Sequence, residues 1–375
     1  HVTEYSTSFG TDRLINRFDR EPFALAFSGQ GFDWLKTLRA AVAAGVGNAV
    51  TSLVDGAAAR LAPVADELAG TRPHGFDPVA WARSEENPTF DTAQAAVSVP
   101  GVFTAQLAVL ESLDRQGLEL DKAVASVGHS QGKLATLLLD GQAESDDLLA
   151  IAQLIGAAMT RTARITGLIQ QGENSPMVSV IGVTREQLQR AIDHATADVP
   201  EEIRPVIGLR NTRDTYVMVG RPQDLLAVQE LLGKFAARDA KAIENKERGG
   251  EPFNPRFNPL PIQTAFHHPA MEAAVEQTVA WAEKAGLDTA IARVAAELVL
   301  TTPVDFPAEL DAAVNAGTRW LLEVGPEAGM TPLTRRVVAG RGVGVLTVSD
   351  TEGQAELFDA GLAPELPRDW SEFAP

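Results

Sequence analysis

The stretch VASVGHSQGKLATLL, residues 124–138, decides how this chain is read. A short apolar run, Val124 to Val127, meets Gly128-His129-Ser130-Gln131-Gly132, and a helix-like run follows to about Leu139. A serine between two glycines at a strand-to-helix turn admits two readings. One is a tight turn. The other is a nucleophile elbow, whose strained backbone exposes the serine hydroxyl at the end of a sheet. There, the first peptide N–H groups of the helix point at a developing negative charge. The β-like run before the serine and the helix after it favour the elbow.

A nucleophilic serine needs a base. The chain has six histidines. His1, His74 and His194 stand in polar surroundings and read as surface residues. His129 adjoins the serine but should point away from it, which suits packing or loop ordering. His267 and His268 lie in LPIQTAFHHPAM, residues 260–271, just past an expected strand end. One of the pair is placed to act as base, the other as bystander. No carboxylate between Ser130 and His267 stands where a third triad member is expected. A dyad whose imidazole is oriented by a backbone carbonyl fits instead.

Composition sets the frame. The 375 residues are 45% hydrophobic, enough for one large domain or two moderate ones. Alanine-rich stretches alternate with short Val/Ile/Leu runs, an α/β pattern. A formal charge of −18 argues against nucleic acid and against an anionic membrane surface as partners. The absence of cysteine excludes disulfides, thiolate nucleophiles and cysteine metal sites. No apolar run of about 18 residues and no signal peptide is visible. The chain starts at His1 with a polar, non-periodic stretch, so residues 1–21 read as a linker in a piece of a longer chain. Residues 351–375 read as a second linker.

Phe23 to Ser28 reads as a buried strand ending in the Gly29-Gln30-Gly31 loop. Residues 33–70 are helical, and so is Pro100 to Leu113. A long helix should start at Ser145 as cap, with Asp146 and Asp147 complementing its dipole, and stop near Gly172. From Pro176 the order changes to strand, helix, strand, strand, helix. The strands are 177–183, 206–209 and 215–219, and the helices 185–196 and 222–235. After a polar loop at 239–259 comes a last strand at 260–263. That is the β-α-β-β-α-β order of a ferredoxin-like unit. Trp320 to Val324 and Val343 to Val348 return as strands of the first domain, so the small unit, 176–263, is inserted in the large one, 22–175 and 264–350.

These motifs, in order, resemble the malonyl/acetyl-CoA:ACP acyltransferase family. They are Gly29-Gln30-Gly31, Gln106-Leu107-Ala108, Gly128 to Gly132, Asn211, Phe266-His267 and Glu323-Val324-Gly325-Pro326. The resemblance covers about residues 22–350. It implies an α/β-hydrolase-like acyltransferase domain with an inserted ferredoxin-like subdomain. Within the family, GHSQG and SVPGVFTAQLAVL (residues 98–110) are similar to the acetyltransferase domain of fungal and bacterial type I fatty acid synthases.

Family members that take malonyl groups carry an arginine in the helix after the elbow, where it holds the free carboxylate. Ungapped counting from Ser130 through Gly141 puts Ile155-Gly156 there. An apolar side chain cannot pair a buried carboxylate. Arg161 and Arg164 lie about 240° and about 180° around the helix from Ile155 and should face elsewhere. The resemblance therefore implies acetyl, or another short neutral acyl group, as substrate.

It further implies Ser130 as nucleophile, His267 as base and the backbone N–H groups of Gln30 and Gln131 as the oxyanion hole. Ile155, Asn211, Phe266 and His129 would line the substrate site. A carbonyl of the Gly325-Pro326 loop would orient His267. Glu323 is expected at the surface or as a cap, and Lys133, where the family commonly has Glu, as a solvated helix lysine. The implied reaction is a ping-pong transfer from acetyl-CoA, through an acyl-serine, to the phosphopantetheine thiol of an acyl carrier protein. It uses a coenzyme A thioester as substrate, with no metal and no bound cofactor. The other partners would be fatty acid synthase domains, and the setting cytoplasmic. The competing readings are a malonyl or long-acyl transferase, a serine thioesterase or esterase, and a silent docking domain.

Overall fold

The structure, a computed structural model, describes residues 12–371. His1 and the first half of the expected N-terminal linker lie outside them. The strands among the described residues are β1 (Phe23–Phe27), β2 (Ala125–Gly128), β3 (Met177–Ile181), β4 (Val206–Thr212), β5 (Thr215–Val219), β6 (Arg256–Pro259), β7 (Val304–Asp305), β8 (Trp320–Glu323) and β9 (Gly344–Thr347).

The run FALAF of β1 is buried at every residue, as a parallel strand covered on both faces must be. It pairs in parallel with β2 and β8, and β9 extends the sheet in the order β2-β1-β8-β9. Phe27 stands opposite Gly128, and the N–H of His129 donates to the Phe27 carbonyl at 2.8 Å. The Ser28–Gln30 loop and the elbow thus leave the same edge of the sheet, at the carboxyl ends of its strands, where α/β folds gather ligands.

Helices cover this sheet. Ala95–Arg115 starts earlier than expected and carries Pro100 inside it. By length and composition this helix and the stretch Trp34–Ala69 are long and apolar enough to cross a membrane, contrary to the sequence expectation. The cause lies in uncharged residues such as Ser98, Thr104 and Gln106, which break an apolar run without adding charge. In the fold, 94% of the apolar window of Ala95–Arg115 is buried inside the protein. Trp34–Ala69 is interrupted by a π-turn, Val42–Val46, where Gly45 takes φ 104°.

The helix Ser145–Thr166 is not capped by Ser145. Glu144 occupies the cap position without a side-chain bond, and Gly167, left-handed at φ 75°, ends the helix ahead of Gly172.

The second sheet has the order β6-β3-β5-β4, with all these neighbours antiparallel. That is the ferredoxin-like arrangement, and it has its own core around Val180, Leu188, Ile192, Met218, Leu225 and Val228. Two details differ from expectation. The second helix is Pro222–Glu244, reaching into the expected loop. The last strand is Arg256–Pro259, not 260–263. It is an edge strand, mostly exposed and ending on proline, so it carries no apolar alternation to be read. The fifth strand, β7, is supplied by the large part of the chain and runs parallel to β4, which joins the two units.

Residues 351–358, expected as linker, form the helix Thr351–Phe358. Asp350 caps it, and Leu357 and Phe358 are buried against the large unit.

Candidate active site

The elbow is built by what its glycines leave out. A Cβ on Gly128 would stand 2.4 Å from the Lys133 nitrogen, and one on Gly132 would stand 2.2 Å from the Phe27 carbonyl oxygen. No L side chain fits either place. Ser130 between them is left-handed, at φ 57°, a conformation that costs free energy and gathers at functional sites. Gly29 closes the other side, where a Cβ would lie 3.0 Å from Ser130 Cβ.

His267 reaches this serine from the segment that follows β6. Its neighbours pin the segment: Ala265 N–H donates to the Leu168 carbonyl at 3.0 Å and His268 N–H to the Leu300 carbonyl at 2.9 Å. His267 is also left-handed, at φ 59°. A Cβ on Gly208 of β4 would come within 3.1 Å of the His267 carbonyl, so that glycine makes room for the histidine.

Ser130 Oγ lies 2.6 Å from His267 Nε2. His267 Nδ1 lies 2.7 Å from the carbonyl oxygen of Thr302. A carbonyl only accepts, so Nδ1 carries the proton and Nε2 is free to accept from the serine. The orienting carbonyl is therefore Thr302, not one in the Gly325-Pro326 loop. A backbone carbonyl has no residue signature, and only the fold could locate it. Burial lowers the His267 pKa to about 3, against the raising effect of the Thr302 bond, so the ring is neutral near pH 7.

The N–H of Gln131 precedes the first hydrogen bond of the turn, which Gly132 makes to the His129 carbonyl at 2.9 Å. It belongs to the N–H groups that a helix start leaves unpaired. The Gln30 side chain donates to Gln131 Oε1, and Gln131 Nε2 donates to the Val99 carbonyl at 2.9 Å. The loop carrying Gln30 is thus tied to the elbow.

His129 points away from the serine, as expected. Its Nε2 is 2.7 Å from Asn211 Oδ1, and its ring meets Phe306 edge-on at 5.0 Å. Burial lowers its pKa to about 4, so it is a neutral donor to the amide. Asn211 lies within β4 and not in a turn. Phe266 is buried in the core beside His267, with ring centroids 6.4 Å apart. His268 accepts from Ala270 N–H at 3.0 Å and pairs with the Arg204 carbonyl at 2.9 Å, a structural role. His74 and His194 are exposed.

Ile155 is fully buried in the Ser145–Thr166 helix. Gly156 packs that helix against the first turn of Ala95–Arg115, where a Cβ would lie 2.4 Å from the Ala95 carbonyl. Arg161 faces elsewhere, over the Trp281 ring at 5.4 Å, and Arg164 is exposed.

Two expectations change. Lys133 is paired with Glu309 at 2.6 Å and only 16% exposed. Glu323 is 1% exposed. Its Oε1 accepts from Gly325 N–H at 3.2 Å, and burial raises its pKa to about 8. Beside it, the buried Gln106 donates from Nε2 to the carbonyls of Ser28 (2.7 Å) and Gly325 (2.9 Å). Together they clamp the start of the Gly29-Gln30 loop to the Gly325-Pro326 turn.

The site thus sets a serine on a nucleophile elbow against a histidine oriented by a carbonyl, in an α/β fold with a ferredoxin-like insertion. Residues 176–259 match the family model described as the fatty acid synthase central AT domain. The chain is 24% identical over 323 residues to the fatty acid synthase beta subunit pkiC of Emericella nidulans, a match covering 74% of this chain and 17% of that protein. The chain thus spans about a sixth of that relative's length. It is 23% identical over 281 residues to the malonyl CoA-acyl carrier protein transacylase of Salmonella typhimurium, covering 70% of this chain and 81% of the relative. In fold it is similar to a malonyl-transacylase solved in complex with a type II PKS acyl-carrier protein. That match has a TM-score of 0.64 at 19% identity and covers 90% of this chain and 98% of the other. Together the family model, the beta-subunit relatives and the transacylase structures support a likeness to acyl-CoA:ACP acyltransferases.

Proposed function

We propose that this chain moves an acetyl, or other short neutral acyl, group from coenzyme A to the phosphopantetheine thiol of an acyl carrier protein, priming fatty acid synthesis. The observation that carries the reading is the Ser130–His267–Thr302 line, with contacts of 2.6 and 2.7 Å. The family relationship supports acyl transfer as the chemistry, and the apolar Ile155 supports a neutral acyl group.

In the proposed cycle Ser130 Oγ bonds to the thioester carbon as its proton passes to His267 Nε2. Charging a buried imidazole is costly, but the positive ring forms only beside the new oxyanion, which offsets it. Thr302 holds the ring by its other nitrogen. The N–H groups of Gln131 and Gln30 receive the oxyanion. The carbon–sulfur bond then breaks, and the leaving sulfur takes the proton from His267. In the second half the carrier thiol gives its proton to His267, its sulfur attacks the acyl-serine, and Oγ leaves with the proton. The thioester is substrate, and the cycle needs no resident cofactor or metal. Asn211 and His129 shape the β4 side of the site. The proposed partners are the carrier protein and neighbouring fatty acid synthase domains, in the cytoplasm.

Intact-protein mass after brief incubation with acetyl-CoA, and separately with malonyl-CoA, tests this. The expected result is an acetyl-sized increase that Ser130→Ala abolishes, with little malonyl adduct. Preferential malonyl labelling would transfer the assignment to a dicarboxylic acyl group. Release of coenzyme A without an adduct would mean a hydrolase, and neither adduct nor release would mean a docking domain.

A further inference from the structure

Beside the loop that carries Gln30 lies a polar cavity of about 430 Å³, lined among others by Gln30, Gly31, Trp34, Arg39, Asn87 and Ser98. Arg39 stands on the helix Trp34–Ala41 and makes one side-chain hydrogen bond, from Nη1 to Asn87 Oδ1 at 2.9 Å. Its Nε and Nη2 are shut off from solvent and have no acceptor among the described residues. Nor does the guanidinium enter any of the ion pairs of the described residues. Ser98, only 2% exposed, lines the same cavity, and its Oγ is likewise without a partner.

Two acids face this cavity, and both are engaged elsewhere. Asp33 caps its helix, accepting from Lys36 N–H at 3.0 Å. Asp91 accepts from Ala93 N–H at 2.9 Å and from the Gln263 side chain. Neither neutralises Arg39. Shielded guanidinium donors left unpaired cost free energy, and a rotation that turns this edge of Arg39, with its two parallel N–H groups, into the cavity would let an incoming anion's oxygens recover it. The cavity is mechanically joined to the elbow, because the Gln30–Gln131 contact ends on the carbonyl of Val99, the residue after Ser98.

We infer that this cavity is an anion subsite in which Arg39 and Ser98 bind an oxyanion-bearing group of the acyl-CoA donor. Two parts of such a donor carry that chemistry: a carboxylate at the far end of the acyl group, or a phosphate of the coenzyme. The inference rests on the acyl-transfer reading.

The test compares initial rates of Ser130 acylation, read by intact mass, for the unaltered chain, Arg39→Met and Ser98→Ala. The donors are acetyl-CoA, malonyl-CoA and acetyl-pantetheine, which carries no phosphate. If the anion is the acyl carboxylate, Arg39→Met lowers the malonyl-to-acetyl rate ratio by about tenfold or more. If it is a phosphate, the half-saturating concentration of acetyl-CoA rises about tenfold relative to that of acetyl-pantetheine. Ser98→Ala shifts the same ratio in the same direction by a smaller factor, and it serves if Arg39→Met fails to fold. Ratios unchanged in both variants would overturn the subsite. An unaltered chain that forms no Ser130 adduct would instead overturn the acyl-transfer reading, so the two failures are distinct.

Discussion

At the scale of single residues, the site is held by backbone that has nowhere to go. The atoms facing the missing Cβ positions of Gly128 and Gly132 are main-chain atoms of Lys133 and Phe27, at 2.4 and 2.2 Å. A flexible side chain could swing aside from such a contact, but a paired strand cannot. Gly132→Ala should therefore push the elbow off β1, lower stability by roughly 2 kcal/mol or more and cut acylation at Ser130 by about a hundredfold. Thermal unfolding and a single-turnover mass assay check both effects. A variant melting with the parent would show that the turn tolerates the methyl. This residue-level logic also explains what was legible. Ser130 and its glycines could be read because the turn dictates residue type at fixed spacing. The His267-His268 pair could be read because a base must be a titratable side chain, and the choice of His267 within it came from the resemblance. Thr302 could not, since any residue offers the same carbonyl, and Gly208 could not, since its reason lies in a histidine brought alongside only by the fold.

At the scale of elements, the Gly29-Gln30 loop depends on a helix and a strand that have no part in the proposed cycle. Gln106 projects from the Ala95–Arg115 helix and holds the carbonyls of Ser28 and Gly325, while Glu323 at the end of β8 holds the Gly325 N–H. Gln106→Leu leaves two buried carbonyls without that donor, at a cost of roughly 2–4 kcal/mol. Because Ser28 leads directly into Gly29-Gln30, kcat for acylation should fall by more than KM rises. Glu323, with a pKa raised to about 8, is protonated near neutral pH. Glu323→Gln keeps the accepting oxygen, so it should melt within a few degrees of the parent at pH 7. Equal damage to kcat and KM in Gln106→Leu would reduce the clamp to plain packing. A glutamate closing an apolar run reads as surface because lone buried carboxylates are rare. Its burial is decided by Ser28, far away in sequence, and by the turn that folds Gly329 back against its carboxylate. The long second helix of the small unit was misjudged for a related reason. Residues 239–244 are good helix formers, but the glycines and prolines after them gave the whole stretch the texture of a loop.

Over the whole molecule, the α/β class and the insertion were legible, because fully buried parallel strands and a β-α-β-β-α-β order each leave a distinct periodicity. What periodicity does not record is the set of buried ionisable groups, and these should control stability against pH. His129 and His267 have pKa values lowered by burial to about 4 and about 3, and His268 is lowered for the same reason. In the unfolded chain each titrates near 6.5. Below about pH 6.5 the unfolded state therefore binds more protons, so stability is lost as pH falls from there toward pH 3. Glu323 has the opposite sign. Its pKa rises from 4.5 unfolded to about 8 folded, so the native state holds the extra proton between those values. Its contribution is lost as pH rises through 8. Three histidines outweigh one glutamate on the acid side, and above about pH 7 the unfolded histidines no longer take up protons, leaving the glutamate dominant. These four groups therefore place maximal stability near pH 7, with a slope of about 1.4 kcal/mol per pH unit for each net proton. Denaturant unfolding from pH 5 to 9 checks the curve, and Glu323→Gln separates its limbs. The variant should keep the acid loss and flatten the alkaline one, so its stability relative to the parent climbs between pH 6 and 9. Parallel curves for the two proteins across that range would mean that Glu323 carries no proton in the folded state at neutral pH, and that another group must offset its buried charge.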